Sequence, residues 1–292
     1  MQENIIVNGG NFMEHQITKV TMMEFETYLR EEEKSKGTIE KYMRDVEALR
    51  TYVGEHGSVS KEVMIQYKKQ LLQHYEITTA NSILAAINCF FKTMEWYDCV
   101  VKSFRIQREP FRSENRELSK EEYYRLLGTA EKKGNTRLYL LMQTVCSTGI
   151  RISELQYITV ESLYTRRAKV SLKGKTRTVI LPSVLCERLM AYVEEMEIES
   201  GSIFITRTGT PMNRSNIFKE MKALCQEAKV DSDKVFPHNL RHLFACVYYE
   251  EEKDISHLAD LLGHASVNTT RIYLSKSSEE QAKQIDKMKL VL

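Results

Sequence analysis

The sequence predicts a mainly α-helical protein of two domains with one small β-sheet. Three observations carry this reading. Before residue 100, apolar residues recur at three- and four-residue steps and no strand pattern competes. The stretch 102–116 is charged, lacks helical period and holds Pro110, one of only four prolines, as an inter-domain linker would. Beyond it, helical periodicity is interrupted around Gly174 by two short runs of strand character. At 292 residues the chain is long enough for two hydrophobic cores.

Taken in order, 1–16 is polar, contains Asn8-Gly9-Gly10-Asn11 and reads as a flexible leader. The first domain, 17–101, opens on a helix with the stripe Met22, Phe25 and Leu29. Ser35-Lys36-Gly37 breaks it from a second helix carrying Ile39, Tyr42, Val46, Leu49 and Val53. Two more are expected over Lys61–His74 and Thr79–Trp96. After the linker 102–116, Ser119 and Glu122 have capping-box spacing and open the second domain, 117–276.

There, Leu138–Val145 is an apolar helix ending near Thr148-Gly149, and Arg151 opens the next helix, where free N–H groups and the dipole favour an anion. Lys169–Leu172 and Thr178–Leu181 flank Gly174 as a β-hairpin. Helices follow over Val184–Glu195, Arg214–Ala228, His238–Glu251, Ile255–Leu262 and Val267–Leu274. The last segment, 277–292, is amphipathic, with Ala282, Ile285 and Met288 on one stripe ahead of Leu290-Val291-Leu292. By sequence this tail packs equally well on its own domain or on a neighbouring protomer.

Composition narrows the function classes. Hydrophobic residues at 42% and charged residues at 28% are ordinary for a globular chain. No apolar run approaches the roughly 20 residues of a membrane helix, and the N-terminus lacks a secretory h-region. The six cysteines form no C-x-x-C pair, which predicts reduced, packed thiols and no zinc site. Net charge is only +2, but Arg166, Arg167, Lys169, Lys173, Lys175 and Arg177 crowd one stretch. Such clustering permits a phosphate-binding face; alone, it reads as a solvated basic hairpin.

The chemistry-bearing text is Thr148-Gly149-Ile150-Arg151 with Glu154, then His238 and Arg241, Leu262-Gly263-His264, and Thr269-Thr270-Arg271-Ile272-Tyr273. Two arginines suit a phosphodiester because each presents a planar fork of donors that never loses its charge. His238 and Arg241, three apart, share a helix face. A phenol with an unperturbed pKa near 10 needs a neighbouring base and a positive field to act as nucleophile. Each residue alone has an ordinary reading: Arg151 pairing with Glu154, His264 in a turn, Tyr273 in a core stripe. Their joint order is the specific signal.

In that order the chain resembles the tyrosine recombinases (the phage-integrase family), nearest to their small Xer-like two-domain members. The resemblance covers the second domain well and the first loosely. It implies a helical, SAM-like core-binding domain that clamps DNA and a mixed α/β tyrosine-recombinase catalytic domain. It implies Tyr273 as nucleophile, giving a 3′-phosphotyrosyl link, and Arg151 and Arg241 as phosphate ligands. His238 becomes the general base, His264 a second histidine donating to the phosphate, and Glu154 a supporting acid. A hairpin lysine would protonate the leaving 5′-oxygen; Lys173 matches, and spacing leaves Lys175 open.

The implied partner is double-stranded DNA, bound by a dimer per site and a homotetramer on two sites, with the C-terminal segment exchanged between protomers. No cofactor, metal or membrane is called for, and the implied setting is the cytoplasm with its nucleoid. Lys36, Thr38, Lys41 and Arg44 match the second-helix opening of the clamp, and with Lys175 and Arg177 are candidate DNA contacts. Asn81 and Asn88 stand where relatives often carry arginine, though asparagine can read adenine in a major groove. Integration, excision, inversion and dimer resolution all fit. A type IB topoisomerase-like activity and a catalytically silent DNA-binding regulator are the alternative readings.

Overall fold

The computed structural model describes residues 15–54, 57–105, 117–172, 175–264, 266–271 and 286–288, without the side chains of Leu172 and Lys175. The chain divides into two compact units, Met1–Arg108 and Glu109–Leu292. Among the described residues no helix is long and apolar enough to cross a membrane.

Among the described residues the first unit has the α-helices α1 (Lys19–Glu31), α2 (Lys36–Val53), α3 (Lys61–His74) and α4 (Ile77–Thr93), followed by a 3₁₀ turn (Tyr97–Cys99). Helix α4 is central. It buries Ala80, Ile83, Leu84, Ile87, Phe90 and Phe91 in one cluster with Phe25, Leu29, Val46, Leu49, Met64 and Leu71, and Ala86 is buried as well. Each fully buried side chain of this size contributes about 1.5–3 kcal/mol.

Two sequence expectations shift here. The break expected at Ser35-Lys36-Gly37 lies earlier, over residues 32–35, and ends at Ser35, whose hydroxyl caps α2 by accepting from the Thr38 N–H at 3.4 Å, so Lys36 and Gly37 are already helical. Helix α4 spans Ile77–Thr93 and not Thr79–Trp96. Glu95 turns left-handed (φ 60) and lets Trp96 fold back edge-on to Phe90, with ring centroids 5.4 Å apart.

The second unit begins with the expected capping box, Ser119 and Glu122, at the head of α5 (Lys120–Lys132). Helix α6 (Thr136–Thr148) follows, then a 3₁₀ turn (Ile152–Tyr157), α7 (Val160–Thr165), β1 (Arg167–Leu172), β2 (Lys175–Ile180) and α8 (Ser183–Glu195). Arg151 caps this 3₁₀ turn and does not open an α-helix. Helices α9 (Arg214–Lys222), α10 (Cys225–Ala228), α11 (Pro237–Glu252), α12 (Ile255–Leu262) and α13 (Val267–Arg271) follow, with a 3₁₀ turn (Ser232–Lys234) ahead of α11.

The single helix expected over Arg214–Ala228 is therefore two. Leu224 N–H bonds the Met221 carbonyl three residues back, a tightened turn that keeps Met221, Leu224, Cys225 and Ala228 all in the core. The hairpin is antiparallel, pairing Ala168 with Val179 and Val170 with Arg177. Ala168, Val170 and Val179 are buried, and Thr176, Thr178 and Ile180 are exposed, so period-two alternation places Arg177 on the inward face.

The six cysteines are free thiols, three of them buried. His242, given no function from sequence, is buried on α11 with Nδ1 3.5 Å from Cys246 Sγ.

Candidate active site

Helix α6 ends where Gly149 turns left-handed (φ 63, ψ 20). That turn mounts two arginines at once. Two residues on, Arg151 leaves it; from α11, Arg241 reaches back so that Nη1 donates to the Gly149 carbonyl at 2.5 Å. No side chain fits at 149, because a Cβ would lie 2.4 Å from the Phe244 ring.

Arg241 is 2% exposed. Its Nη2 donates to the Leu262 carbonyl at 2.7 Å and stands 2.9 Å from His264 Nε2. The guanidinium thus ties the end of α6 to the turn after α12, and that turn presents His264. Gly263 makes the turn possible with φ 64. The other ring nitrogen, Nδ1, lies 2.8 Å from the hydroxyl of Thr270, fully buried on α13. Partial burial first, then the positive charges of Arg241, Arg151 and Arg177, push the His264 pKa down to about 4, so the ring is neutral at physiological pH.

Glu154, 1% exposed, is the carboxylate at the centre. It accepts from the Arg151 backbone N–H at 2.8 Å, from Arg151 Nη1 at 3.0 Å and from Arg177 Nη2 at 2.6 Å. Burial pushes its pKa up, but the bonds from Arg151 and Arg177 outweigh this and hold it below the usual carboxylate value. Two arginines, Arg151 and Arg177, therefore share this one carboxylate, and Arg241, bonded to carbonyls and His264 instead, leaves the centre with an excess of fixed positive charge. Preorganised positive charge in a partly water-excluded place is what stabilises a phosphoryl group that gains charge in its transition state.

His238 follows Pro237 at the start of α11 and stays exposed. Its pKa is lowered by partial desolvation and by the charges of Arg241, Arg151 and Arg214. Arg214, at the head of α9, was not singled out from sequence; its only signal is an arginine in the first helical turn.

The structure thus gathers Arg151, Glu154, Arg241 and His264 into one bonded network and sets His238 beside it. Lys173 and Tyr273, and most of the C-terminal segment, lie outside the described residues.

Arg177 needs a correction. Expected on a basic outer surface, its side chain is 17% exposed and turned into the network. Alternation with Val179 was the available signal. The paired asparagines are not base readers in this arrangement either. Asn88 donates to the Val101 carbonyl at 2.8 Å and accepts from its N–H at 3.1 Å, and Asn81 does the same with Phe104 at 3.0 and 2.8 Å. The two amides hold backbone onto α4, at the end of the expected first domain for Val101 and within the expected linker for Phe104.

Of the other candidate DNA contacts, Lys36 and Arg44 have side chains 92% and 75% exposed. Lys41 is instead held 2.5 Å from Asp45, and the Thr38 hydroxyl lies 2.8 Å from Ser35 Oγ. One metal-ligating trio occurs among the described residues, His15, Asp98 and Cys99 in the first unit. Burial pushes the Cys99 thiol up to about 12, and it donates to the Val59 carbonyl as a neutral group.

Residues 116–280 match the Phage integrase family, and residues 22–97 match the Phage integrase, N-terminal SAM-like domain. The chain is 30% identical over 277 residues to tyrosine recombinase XerA of Thermococcus kodakarensis, covering 92% of this chain and 95% of that protein. Its fold is similar to XerH recombinase bound to difH substrate in a pre-cleavage complex (TM-score 0.66, 17% identity, 94% of this chain and 99% of that one). It is also similar to a lambda integrase tetramer bound to a Holliday junction (TM-score 0.71, 16% identity, 88% and 77% of the chains).

Proposed function

This chain belongs to the phage integrase family and is a tyrosine site-specific recombinase, and from that premise we propose the chemistry its site performs. Tyr273 attacks a phosphodiester of double-stranded DNA, forming a 3′-phosphotyrosyl link and releasing a 5′-hydroxyl. Arg151 and Arg241 neutralise the non-bridging oxygens as charge builds on them. His238, kept neutral by its surroundings, takes the tyrosine proton as general base. Lys173 returns a proton to the leaving 5′-oxygen; Lys175 is the competing donor.

Reversal with a different 5′-hydroxyl completes the exchange. The phosphotyrosyl bond conserves the energy of the bond that was cut, so the cycle needs no nucleotide hydrolysis. A dimer occupies each site and a homotetramer the synapsed pair. The lambda integrase tetramer on a Holliday junction supports this assembly.

The observation that carries the reading is the network in which one buried carboxylate and two backbone carbonyls hold Arg151 and Arg241 around His264. The test is covalent trapping. Wild type and Tyr273→Phe are incubated without Mg²⁺ with a nicked duplex chosen by repeated binding from a random-sequence pool. An SDS-resistant protein–DNA adduct in wild type alone is expected. An adduct in both would move the nucleophile elsewhere, and none on a bound duplex would favour a silent DNA-binding role.

A further inference from the structure

The side chain of Arg177 leaves β2 on the same face as Val179 and opposite Val170, and it ends in two places. Its Nη2 lies 2.6 Å from Glu154 Oε2, and its Nη1 donates to the Leu261 carbonyl in the last turn of α12. Between them the chain crosses Gly263 so closely that a Cβ there would stand 2.5 Å from Arg177 Cδ and 2.8 Å from Nε. One side chain therefore joins three separate segments: the hairpin, the turn that orients Arg151 through Glu154, and the turn that presents His264.

We infer that Arg177 is a positioning residue for strand cleavage, fixing the hairpin and the His264 turn to the Glu154 carboxylate that orients Arg151. The inference rests on the recombinase chemistry proposed above. It accounts for the pattern of Leu262-Gly263-His264, where glycine supplies both the positive φ and the space that Arg177 crosses. It also accounts for a partly buried cation within a basic hairpin. A residue that met DNA phosphates would gain from exposure, whereas a fork with both ends bonded and 17% exposure holds other groups in place.

Lys173 and Gly174 stand between the two strands in sequence, so whatever sets the register of β2 against Glu154 also sets the hairpin that bears the candidate proton donor. Positional errors of about 1 Å around a reacting phosphate cost on the order of 100-fold in rate.

Single-turnover adduct formation on the nicked duplex, at saturating DNA, separates this role from DNA contact. Arg177→Gln is expected to bind the duplex with a Kd within about twofold of wild type, since no phosphate contact is lost, and to form adduct on the order of 10- to 100-fold more slowly. Adding Arg177→Gln to Glu154→Gln is expected to slow adduct formation by a smaller factor than Arg177→Gln slows the wild type, because the two changes share the Arg177–Glu154 bond while the Leu261 bond is lost only with Arg177. Arg177→Lys keeps the charge but cannot reach both partners, so it should recover the melting temperature and not the rate. It carries the test if the glutamine chain does not fold.

A wild-type maximal rate in Arg177→Gln, or in Arg177→Lys, would overturn the inference. So would weakened binding with an unchanged maximal rate, which marks a DNA contact. Absence of adduct from the wild type itself would overturn the recombinase chemistry and this role together.

Discussion

Nε2 of His264 lies 2.9 Å from Nη2 of Arg241, and that contact decides which tautomer the histidine adopts. A guanidinium has only N–H groups, so Nε2 accepts and the ring proton sits on Nδ1, from which it is donated to Thr270 Oγ1 at 2.8 Å. In this arrangement His264 offers no donor at Nε2, contrary to the phosphate-donor role that the resemblance implied. To donate there, Nε2 must release Arg241 and carry a proton, either as the imidazolium or as the other tautomer, in which the Thr270 hydroxyl donates to Nδ1.

Thr270→Val keeps the side-chain shape and removes the acceptor that fixes this tautomer. The domain should lose about 1–3 kcal/mol in urea unfolding, the usual cost of removing a partner from a buried polar group. Adduct formation should slow on the order of tenfold or more, as when a catalytic ring loses its orienting partner. An unaltered rate would show that the tautomer is set without Thr270.

The depressed pKa of His264, about 4 against an ordinary value near 6.5, has a definite sign in stability. Between those values the unfolded chain binds the proton and the folded chain does not, so stability is fully present above about pH 6.5 and falls as pH drops toward 4. Urea unfolding from pH 7 to pH 5 should show wild type losing stability more steeply than His264→Gln. The difference should be less than the full ~1.4 kcal/mol per pH unit of one proton, because the ring is partly screened by water. His238, shifted in the same direction, contributes to the slope of both proteins and not to their difference.

Gly149→Ala and Gly263→Ala should both be costly, for different reasons. At Gly149 (φ 63) the new Cβ meets Phe244 and Leu262 in the core, and a loss of at least about 2 kcal/mol is expected from combined left-handed strain and overpacking. At Gly263 (φ 64) it meets the movable side chain of Arg177. Stability there should fall by about 1–2 kcal/mol, while adduct formation falls as it does in Arg177→Gln. Equal rates for Gly263→Ala and wild type would count against the crossing contact.

Asn88→Ala removes both bonds that hold Val101 to α4. The first domain should lose about 1–3 kcal/mol, and exchange of the Val101 amide should accelerate while the Phe104 amide, held by Asn81, changes less. Uniform exchange across 101–105 in wild type would rule the clamp out.

Much was legible from the sequence because it depends on neighbours in the chain. Helical period located α3 and α12 to the residue, the Ser119–Glu122 box placed the start of α5, and Thr148-Gly149 announced the left-handed turn beneath Arg151. The ordered motif brought Arg151, Glu154, Arg241 and His264 to notice before any fold was known. Within the hairpin, alternation with Val179 already carried the news that Arg177 faces inward; the density of basic residues around it obscured that signal.

Other features were decided only by tertiary structure. Which groups Arg241 would bond depended on carbonyls 92 and 21 residues away in sequence, exposed by the ends of two other helices. The tautomer of His264 followed from that choice. Asn81 and Asn88 read from sequence as possible base contacts, and their backbone partners at Phe104 and Val101 became evident only once that segment lay along α4. Sequence determines local conformation and which faces are apolar, because those follow from steric preference and burial. The partner of a buried polar group is determined by which backbone ends converge on it, and only the packed chain brings those ends together.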